Sequence, residues 1–203
     1  MSKSPVKARR TAAAKKAAIT PKRRAAGRKA VTTRKRKVAA RKAVTTGKAA
    51  AAAPVSRTGM LIRRPVEDVF NAFIDPDVTS KFWFTKSNGR LEPGRQVQWD
   101  WEMYNHSIPV TVKTVEPNAH IVIEWSGYET RTTVDWTFKT LEDGSTFVSI
   151  TESGFAGTGD EVRKHVASST EGFSLVLAGL KAFLEHNIRL NLVADRFPKG
   201  IEE

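Results

Sequence analysis

The residues with the clearest capacity for acid–base chemistry are the carboxylates in the β-patterned part of the sequence. Three alternate out of phase with the large apolar side chains and are expected to face solvent: Glu102, Glu124 and Asp135. Glu152 continues the parity of Val148 and Ile150, so it is predicted to point toward the apolar side. A carboxylate on an apolar wall is destabilised as an ion, which suits orienting a polar ligand group or transferring a proton. The alternative, which the sequence favours, is that Glu152 lies at the strand end and pairs with solvent or Arg163.

Two more polar side chains are candidates for such chemistry. His106 falls near a strand end, where the mouth of a cavity is expected, although an ordinary loop histidine is the simpler reading. The catalytic candidates, if the protein is an enzyme, are therefore Glu152, His106 and Tyr128. His165 and His186 fall on the polar side of a predicted helix and are expected at the surface.

No metal or cofactor site is indicated. The four histidines have no metal-ligand spacing and the chain has no cysteine, which also excludes disulfides and thiolate chemistry. No serine lies in a Gly-x-Ser-x-Gly setting, and Gly157-Thr158-Gly159 lacks the rest of a dinucleotide-binding or phosphate-binding loop.

A stripe of large apolar side chains is a sharper sign of a binding site. The predicted ligand-binding residues share the inner face of the sheet or the facing helix: Trp99, Trp101, Met103, Ile123, Trp125, Val134, Trp136, Phe138, Ile150, Glu152, Phe173, Leu177 and Leu180. Such a wall forms either a packed core or a pocket for an apolar or aromatic ligand. The sequence leaves both readings open.

A long amphipathic helix, predicted from Thr158 to about Asn191, positions one side of this stripe. Its apolar residues recur at spacings of three, four and seven: Val162, Val166, Phe173, Val176, Leu177, Leu180, Phe183, Leu184 and Ile188. Thr158 and Glu161 have the spacing of a capping box, which marks the start of the helix. An apolar stripe of this length must be buried against the strands that precede it.

The strands before this helix are predicted to form an antiparallel meander. A short strand over 58–62 is followed by a helix with Pro65 at its first position and by a second helix capped by Asp75. Turn residues then separate runs that alternate in polarity: 96–103, 108–115, 120–125, 132–138 and 146–150. The predicted fold class is therefore α+β, a curved antiparallel sheet wrapped around the last helix.

Residues 1–56 and 57–203 differ in kind. The first segment holds 18 of the 34 Lys and Arg residues with no acidic or aromatic residue, whereas the second holds the other 16 and all 21 acidic residues. We expect a disordered basic tail over 1–56 and a folded domain over 57–203. The Ala/Lys texture of the tail resembles linker-histone tails and the basic extensions of some bacterial nucleoid proteins.

Such a tail is predicted to bind nucleic acid without sequence preference, by neutralising phosphates and releasing counterions. The expected contacts are its clustered cations: Lys22, Arg23, Arg24, Arg28, Lys29, Arg34, Lys35, Arg36, Lys37, Arg41 and Lys42. The alternatives are a solubilising tail, or one that touches anionic lipid or ribosomal RNA.

The sequence predicts a cytoplasmic protein without a membrane span. No apolar run approaches the roughly 18–20 residues that cross a bilayer, and no apolar signal core is present. Association with the nucleoid is compatible with the tail, while its high lysine and sparse serine content argue against organellar import.

Several local strings between residues 57 and 190 resemble the START-like, birch-pollen-allergen-like (SRPBCC) superfamily. Within it, the chain is most similar to the branch named for the activator of the heat-shock-protein ATPase, also described as polyketide-cyclase-like. The strings are Arg64 to Phe70, Asp75-Pro76-Asp77, Trp83, Leu91 to Arg95, Val115-Glu116-Pro117, Ile123-Glu124-Trp125, Gly144-Ser145-Thr146 and Glu171-Gly172-Phe173. The resemblance implies a helix-grip fold, often with an internal cavity. The sequence departs from the branch at Pro93-Gly94, where Gly-Gly is common, and at Gly172-Phe173, where Gly-Trp is common.

Three functions fit this reading, and the sequence ranks the first highest. The first is a non-enzymatic helix-grip domain that binds a small apolar ligand or a protein partner and is tethered to nucleic acid by its tail. The second is a cyclase-type or hydrolase-type enzyme that acts in the cavity. The third, implied by the family name, is a chaperone-associated adaptor. No cofactor is expected in any of them.

Overall fold

The computed structural model describes residues 53–128 and 130–198. The chain divides into two units, Met1–Ala51 and Ala52–Glu203, and the second contains the described fold. The predicted disorder of the basic tail and all of its predicted nucleic-acid contacts, from Lys22 to Lys42, lie outside the described residues.

The described residues form one antiparallel sheet with helices before and after its central strands. The elements are β1 (Ser56–Ile62), α1 (Val66–Ile74), α2 (Pro76–Thr79), β2 (Lys86–Ser87), β3 (Gln96–Trp101), β4 (His106–Glu116), β5 (His120–Tyr128), β6 (Thr130–Thr140), β7 (Thr146–Ser153), α3 (Gly159–His186) and α4 (Leu192–Asp195). The strand order is β1-β7-β6-β5-β4-β3-β2, so the last strand closes onto the first. The predicted α+β helix-grip architecture is confirmed.

The start of α3 follows from the predicted capping box. The Thr158 amide donates to Glu161 Oε2 at 2.7 Å, and the Glu161 amide donates to Thr158 Oγ1 at 3.4 Å. The predicted end near Asn191 is wrong, because the helix ends at His186. Asn187 adopts a left-handed conformation with φ of 55°, which asparagine tolerates better than most residues and which stops the helix. Ile188 therefore leaves the apolar stripe and is half exposed.

The prediction for the strand over 96–103 is wrong at its end. β3 stops at Trp101, and Glu102–Tyr104 form a 3₁₀ turn that Asn105 ends with φ of 49°. Met103 thus does not continue the alternation, although it packs against the edge of the core. At the other end of the chain, β1 begins at Ser56, the last residue assigned to the tail, and Ser56 pairs with Glu152 of β7.

The core lies between the sheet and α3, with α1 and Phe82–Phe84 closing one end. Val176, Leu177 and Leu180 of α3 are buried against the inner side chains of the strands. Trp99 and Phe84 stack with their ring centres 4.9 Å apart. Aromatic packing of this kind is rigid and contributes beyond its buried area.

Candidate ligand cavity

A cavity of about 330 Å³ lies beside the packed core, between the sheet and α3. Its apolar walls are Trp83, Trp101, Trp125, Phe173 and Val176. Polar groups reach it from the turn before β4, from β4 and β5, from α3 and from the segment after α3. The arrangement is an apolar slot with a polar entrance.

Only part of the predicted binding stripe borders this cavity. Trp101, Trp125 and Phe173 line it, and their role in binding a ligand stays a prediction. The other apolar members pack in or against the core: Trp99, Met103, Ile123, Val134, Trp136, Phe138, Ile150, Leu177 and Leu180. Phe84 stacks on Trp99, and Phe70 and Phe73 pack edge-on against Phe138, so other side chains fill the space over this part of the stripe.

Glu152 points inward, as its strand parity predicts, and is completely buried. The favoured alternative, a strand-end carboxylate paired with solvent or Arg163, is wrong; Arg163 pairs with Asp160 instead. Glu152 Oε1 accepts hydrogen bonds from Trp125 Nε1 at 2.7 Å and from Thr132 Oγ1 at 2.5 Å. Its Oε2 accepts one from Ser169 Oγ at 2.6 Å. The carboxylate therefore fixes two side chains of the cavity wall, Trp125 and Ser169, from behind.

The three carboxylates that are expected to face solvent do so. Glu102 is exposed in the 3₁₀ turn. Glu124 lies between two cations, with Lys113 at 3.5 Å and Arg131 at 3.7 Å, and Asp135 Oδ1 lies 3.0 Å from His120 Nε2.

Tyr128 lines the cavity and stacks on His165, with the ring centres 4.8 Å apart. Burial, reinforced by the negative charge of Glu152, raises the pKa of Tyr128 to about 12, although the Ser168 and Ser169 hydroxyls oppose the shift. The phenol is therefore neutral at physiological pH and serves as a hydrogen-bond donor. His165 is partly exposed, and this stacking covers its Nδ1.

His106 stands at the mouth, as the first residue of β4. Its ring centre lies 6.1 Å from that of Trp101, its partner across the β3–β4 ladder. His106 and Tyr128 thus border the same cavity, and Glu152 lies directly behind its wall. His186 is exposed, as predicted.

Several lining residues escaped the sequence reasoning. Trp83 comes from the segment after α2, and Ser168 comes from the face of α3 that the pattern assigns to solvent. Val193, Arg196 and Phe197 follow the end of α3. The predicted long helix hid these three, because a helix continued to Asn191 carries the chain away from the sheet.

Within residues 53–128 and 130–198, no group of three or more metal-ligating side chains comes together. No helix among the same residues is long and apolar enough to cross a membrane.

A curved antiparallel sheet that grips a long C-terminal helix beside an aromatic-walled cavity defines a helix-grip type of domain. The sequence model of the family described as Activator of Hsp90 ATPase homolog 1-like protein matches residues 63–185. The chain belongs to this family. No curated protein matches it.

Solved structures with the same fold agree with this assignment. A Staphylococcus saprophyticus protein is 31% identical, with 68% of this chain and 96% of that chain covered and a TM-score of 0.60. The Aha1 dimer from Colwellia psychrerythraea is 20% identical over 66% of this chain and 97% of its own, with a TM-score of 0.57. DynU16, a protein of the dynemicin biosynthetic locus, is 21% identical over 66% of this chain and 48% of its own, with a TM-score of 0.59. The last two likenesses show the fold alone.

Proposed function

We propose that this protein binds a small apolar or aromatic ligand in the cavity between the sheet and α3. The observation that supports this proposal is an aromatic-walled space of about 330 Å³, which falls in the range of small-molecule sites. Trp83, Trp125 and Phe173 offer ring faces and edges, which favour a flat apolar molecule. The neutral Tyr128 hydroxyl gives such a ligand one hydrogen-bond donor to orient it.

The states of Glu152 and Tyr128 favour ligand binding over catalysis. Three donors already occupy the oxygens of Glu152, so the carboxylate is engaged in holding Trp125, Thr132 and Ser169. Tyr128, with its pKa raised to about 12, supplies no phenolate near neutral pH. A general base must reach the proton of the substrate and have a pKa near the working pH, whereas the Glu152 side chain is completely buried and does not line the cavity. The cyclase or hydrolase alternative is therefore the weaker proposal.

A fluorescence titration tests the binding proposal. The probe is 1-anilinonaphthalene-8-sulfonate, which brightens in apolar surroundings. Gly172 borders the cavity, and a Cβ added there meets no heavy atom within 4 Å, so Gly172→Leu extends into open space at the cavity edge. We expect saturable binding by the native protein and affinity lowered about tenfold in Gly172→Leu.

The matched control is Ala167→Leu, an exposed position of α3 away from the cavity. Its affinity for the probe should equal that of the native protein. The proposal is contradicted if the native protein does not increase the fluorescence of the probe. It is also contradicted if Gly172→Leu and Ala167→Leu lower the affinity for the probe equally. Unchanged near-ultraviolet circular dichroism excludes a loosened core as the source of the signal.

We further propose that the basic segment 1–56 binds nucleic acid without sequence preference. Its support is compositional: 18 cations and no acidic residue. The test replaces Arg34, Lys35, Arg36 and Lys37 with glutamine in the full chain. The logarithm of the binding constant for duplex DNA falls linearly with the logarithm of the salt concentration. Loss of four phosphate contacts should reduce the steepness of this fall by about 3 to 4.

The control for the tail variant has the same number of substitutions in the folded domain. Arg57, Lys86, Arg131 and Lys139 are exposed, and their replacement with glutamine should leave the slope unchanged. Equal slopes in the two variants contradict a role for the tail.

A chaperone-associated adaptor is a second candidate, favoured by the family match over residues 63–185. The direct test adds the purified full chain to a purified Hsp90 and follows ATP hydrolysis. An unchanged rate over a wide range of protein concentration removes this candidate.

A further inference from the structure

The segment after α3 forms the outer wall of the cavity. Residues 188–198, here called the C-terminal cover, contain the four-residue helix α4 and contribute Val193, Arg196 and Phe197 to the lining. The family match ends at residue 185, so the cover lies beyond the matched sequence. Part of the cavity mouth is therefore formed by residues outside the match.

Two polar attachments hold the cover against the body of the domain. The Tyr104 hydroxyl donates to the carbonyl oxygens of Val193 and Ala194, the latter at 3.1 Å. Arg196 Nε donates to Glu171 Oε1 at 2.7 Å, which ties the cover to α3. Both attachments are formed by side chains that line the cavity, so they hold the cover at its mouth.

An aromatic contact completes the closure. The ring of Phe197 meets that of Tyr104 edge-on, with the centres 6.1 Å apart, and the Arg196 guanidinium lies 4.5 Å above the Phe197 ring. Phe197 nevertheless stays about half exposed. It is a large apolar residue poised between the cavity and water.

Two asparagines flank residues 188–190, the first part of the cover, and their backbone conformation makes them candidate hinges. Asn187 and Asn191 adopt left-handed conformations, with φ of 55° and 53°. Ile188 and Leu190 between them are exposed, and α4 contains no buried residue. A segment with few buried contacts opens locally at much lower cost than the domain unfolds.

We propose that the C-terminal cover is a hinged, specificity-determining element that swings about Asn187 and Asn191 to admit ligands to the cavity. The proposal rests on the proposed binding function for its biological meaning, but the movement itself is measurable without a ligand. Closed, the cover presents Phe197 and the paired Arg196 to whatever occupies the mouth. Ligands too long for the closed space are thereby excluded.

Thiol labelling in the full chain measures the opening, because the native sequence has no cysteine. Val176 lines the cavity and is 1% exposed, so in Val176→Cys an uncharged reagent such as N-ethylmaleimide reaches the thiol through the mouth. The next residue, Leu177, is 0% exposed and lies in the core, so Leu177→Cys reports opening of the whole fold. Each is combined with Tyr104→Phe and Glu171→Ala, which remove the two attachments of the cover.

We expect loss of both attachments to accelerate labelling of Val176→Cys by about tenfold while labelling of Leu177→Cys is unchanged. Unchanged labelling at Val176→Cys, or equal acceleration at both sites, overturns the hinged cover. Titration of the same proteins with 1-anilinonaphthalene-8-sulfonate separates the two proposals. If labelling accelerates only at Val176→Cys but the probe does not bind, the ligand-binding function is contradicted and the hinged cover is supported.

Discussion

Gly172 and Gly179 lie two turns apart on one face of α3, yet only one of them touches the rest of the protein. A Cβ added at Gly179 would lie 3.1 Å from the carbonyl oxygen of Phe82, whereas one added at Gly172 meets nothing within 4 Å. The C-terminal part of α3 therefore packs closely against Phe82 at Gly179, whereas no other described part of the protein packs against the helix at Gly172. Gly172 is exposed and borders the cavity.

Alanine at the two glycines should change the free energy of unfolding in opposite directions. Gly172→Ala removes the helix penalty of glycine without a clash, and we expect a gain of about 0.5–1 kcal/mol. Gly179→Ala gains the same helix propensity but pushes against backbone, and we expect a net loss of about 1–2 kcal/mol. Urea unfolding of the two variants measures both values. Effects of the same sign would contradict the close approach at Phe82.

Replacement of Glu152 should be far costlier with alanine than with glutamine. Alanine leaves the buried Trp125, Thr132 and Ser169 donors without an acceptor, and we expect a loss of about 3 kcal/mol in unfolding free energy. Glutamine keeps one carbonyl oxygen for Trp125 and Thr132, while the rotatable Ser169 hydroxyl accepts from the new amide, so the expected loss is about 1 kcal/mol. Equal losses would show that the network around the carboxylate contributes little. The single-site control is Ser169→Ala, which should fall between the two.

The elements that local chemistry defines were predictable from the sequence. The capping box of Thr158 and Glu161 marks the start of α3, and the period-two alternation places Trp99 inward and Glu152 on the same side as Ile150. These features depend on neighbours within a few positions of the chain. The antiparallel pairing of consecutive strands from β3 to β7 followed from the short loops, whereas the pairing of β1 with β7 joins segments far apart in sequence.

The cavity was not predictable, because it depends on distances between elements that are far apart in sequence. Strand parity shows that Glu152 points inward, but its partners Trp125 and Ser169 lie 27 and 17 residues away. The left-handed turn at Asn187 decides whether the chain leaves the sheet or returns to cover the mouth. An apolar stripe continues past that residue, so periodicity alone extends the helix too far.

The phenol of Tyr128 should ionise at an unusually high pH. The chain has two tyrosines, so Tyr104→Phe leaves Tyr128 as the only tyrosine signal. Ultraviolet absorbance should then report ionisation with a pKa of about 12. Since the charge of Glu152 contributes to the shift, adding Glu152→Gln should lower the pKa. A Tyr128 pKa near 10 with the fold intact would contradict its burial beside the cavity.

Glu185 fastens the last turn of α3 to the end of β1. Its carboxylate accepts from the Arg63 amide at 2.7 Å and pairs with Lys181, whose ammonium also donates to the Leu61 carbonyl oxygen at 2.8 Å. Burial acts to raise the pKa of Glu185. Hydrogen bonds from Lys181 and Arg63, with the positive charges of both, outweigh it and hold the pKa below the ordinary value.

This lowered pKa predicts how stability depends on pH. A carboxyl whose pKa is lower in the folded state stabilises the fold above its unfolded pKa, and that contribution disappears as pH falls through the folded pKa. Glu185→Gln should therefore cost about 1–2 kcal/mol near neutral pH and progressively less below the ordinary value of 4.5. Urea unfolding of both proteins across this range measures the difference. Glu142→Gln, in the exposed β6–β7 turn, is the control and should track the native protein throughout. A cost that does not shrink in acid would show that Glu185 stabilises the fold through packing and not through its charge.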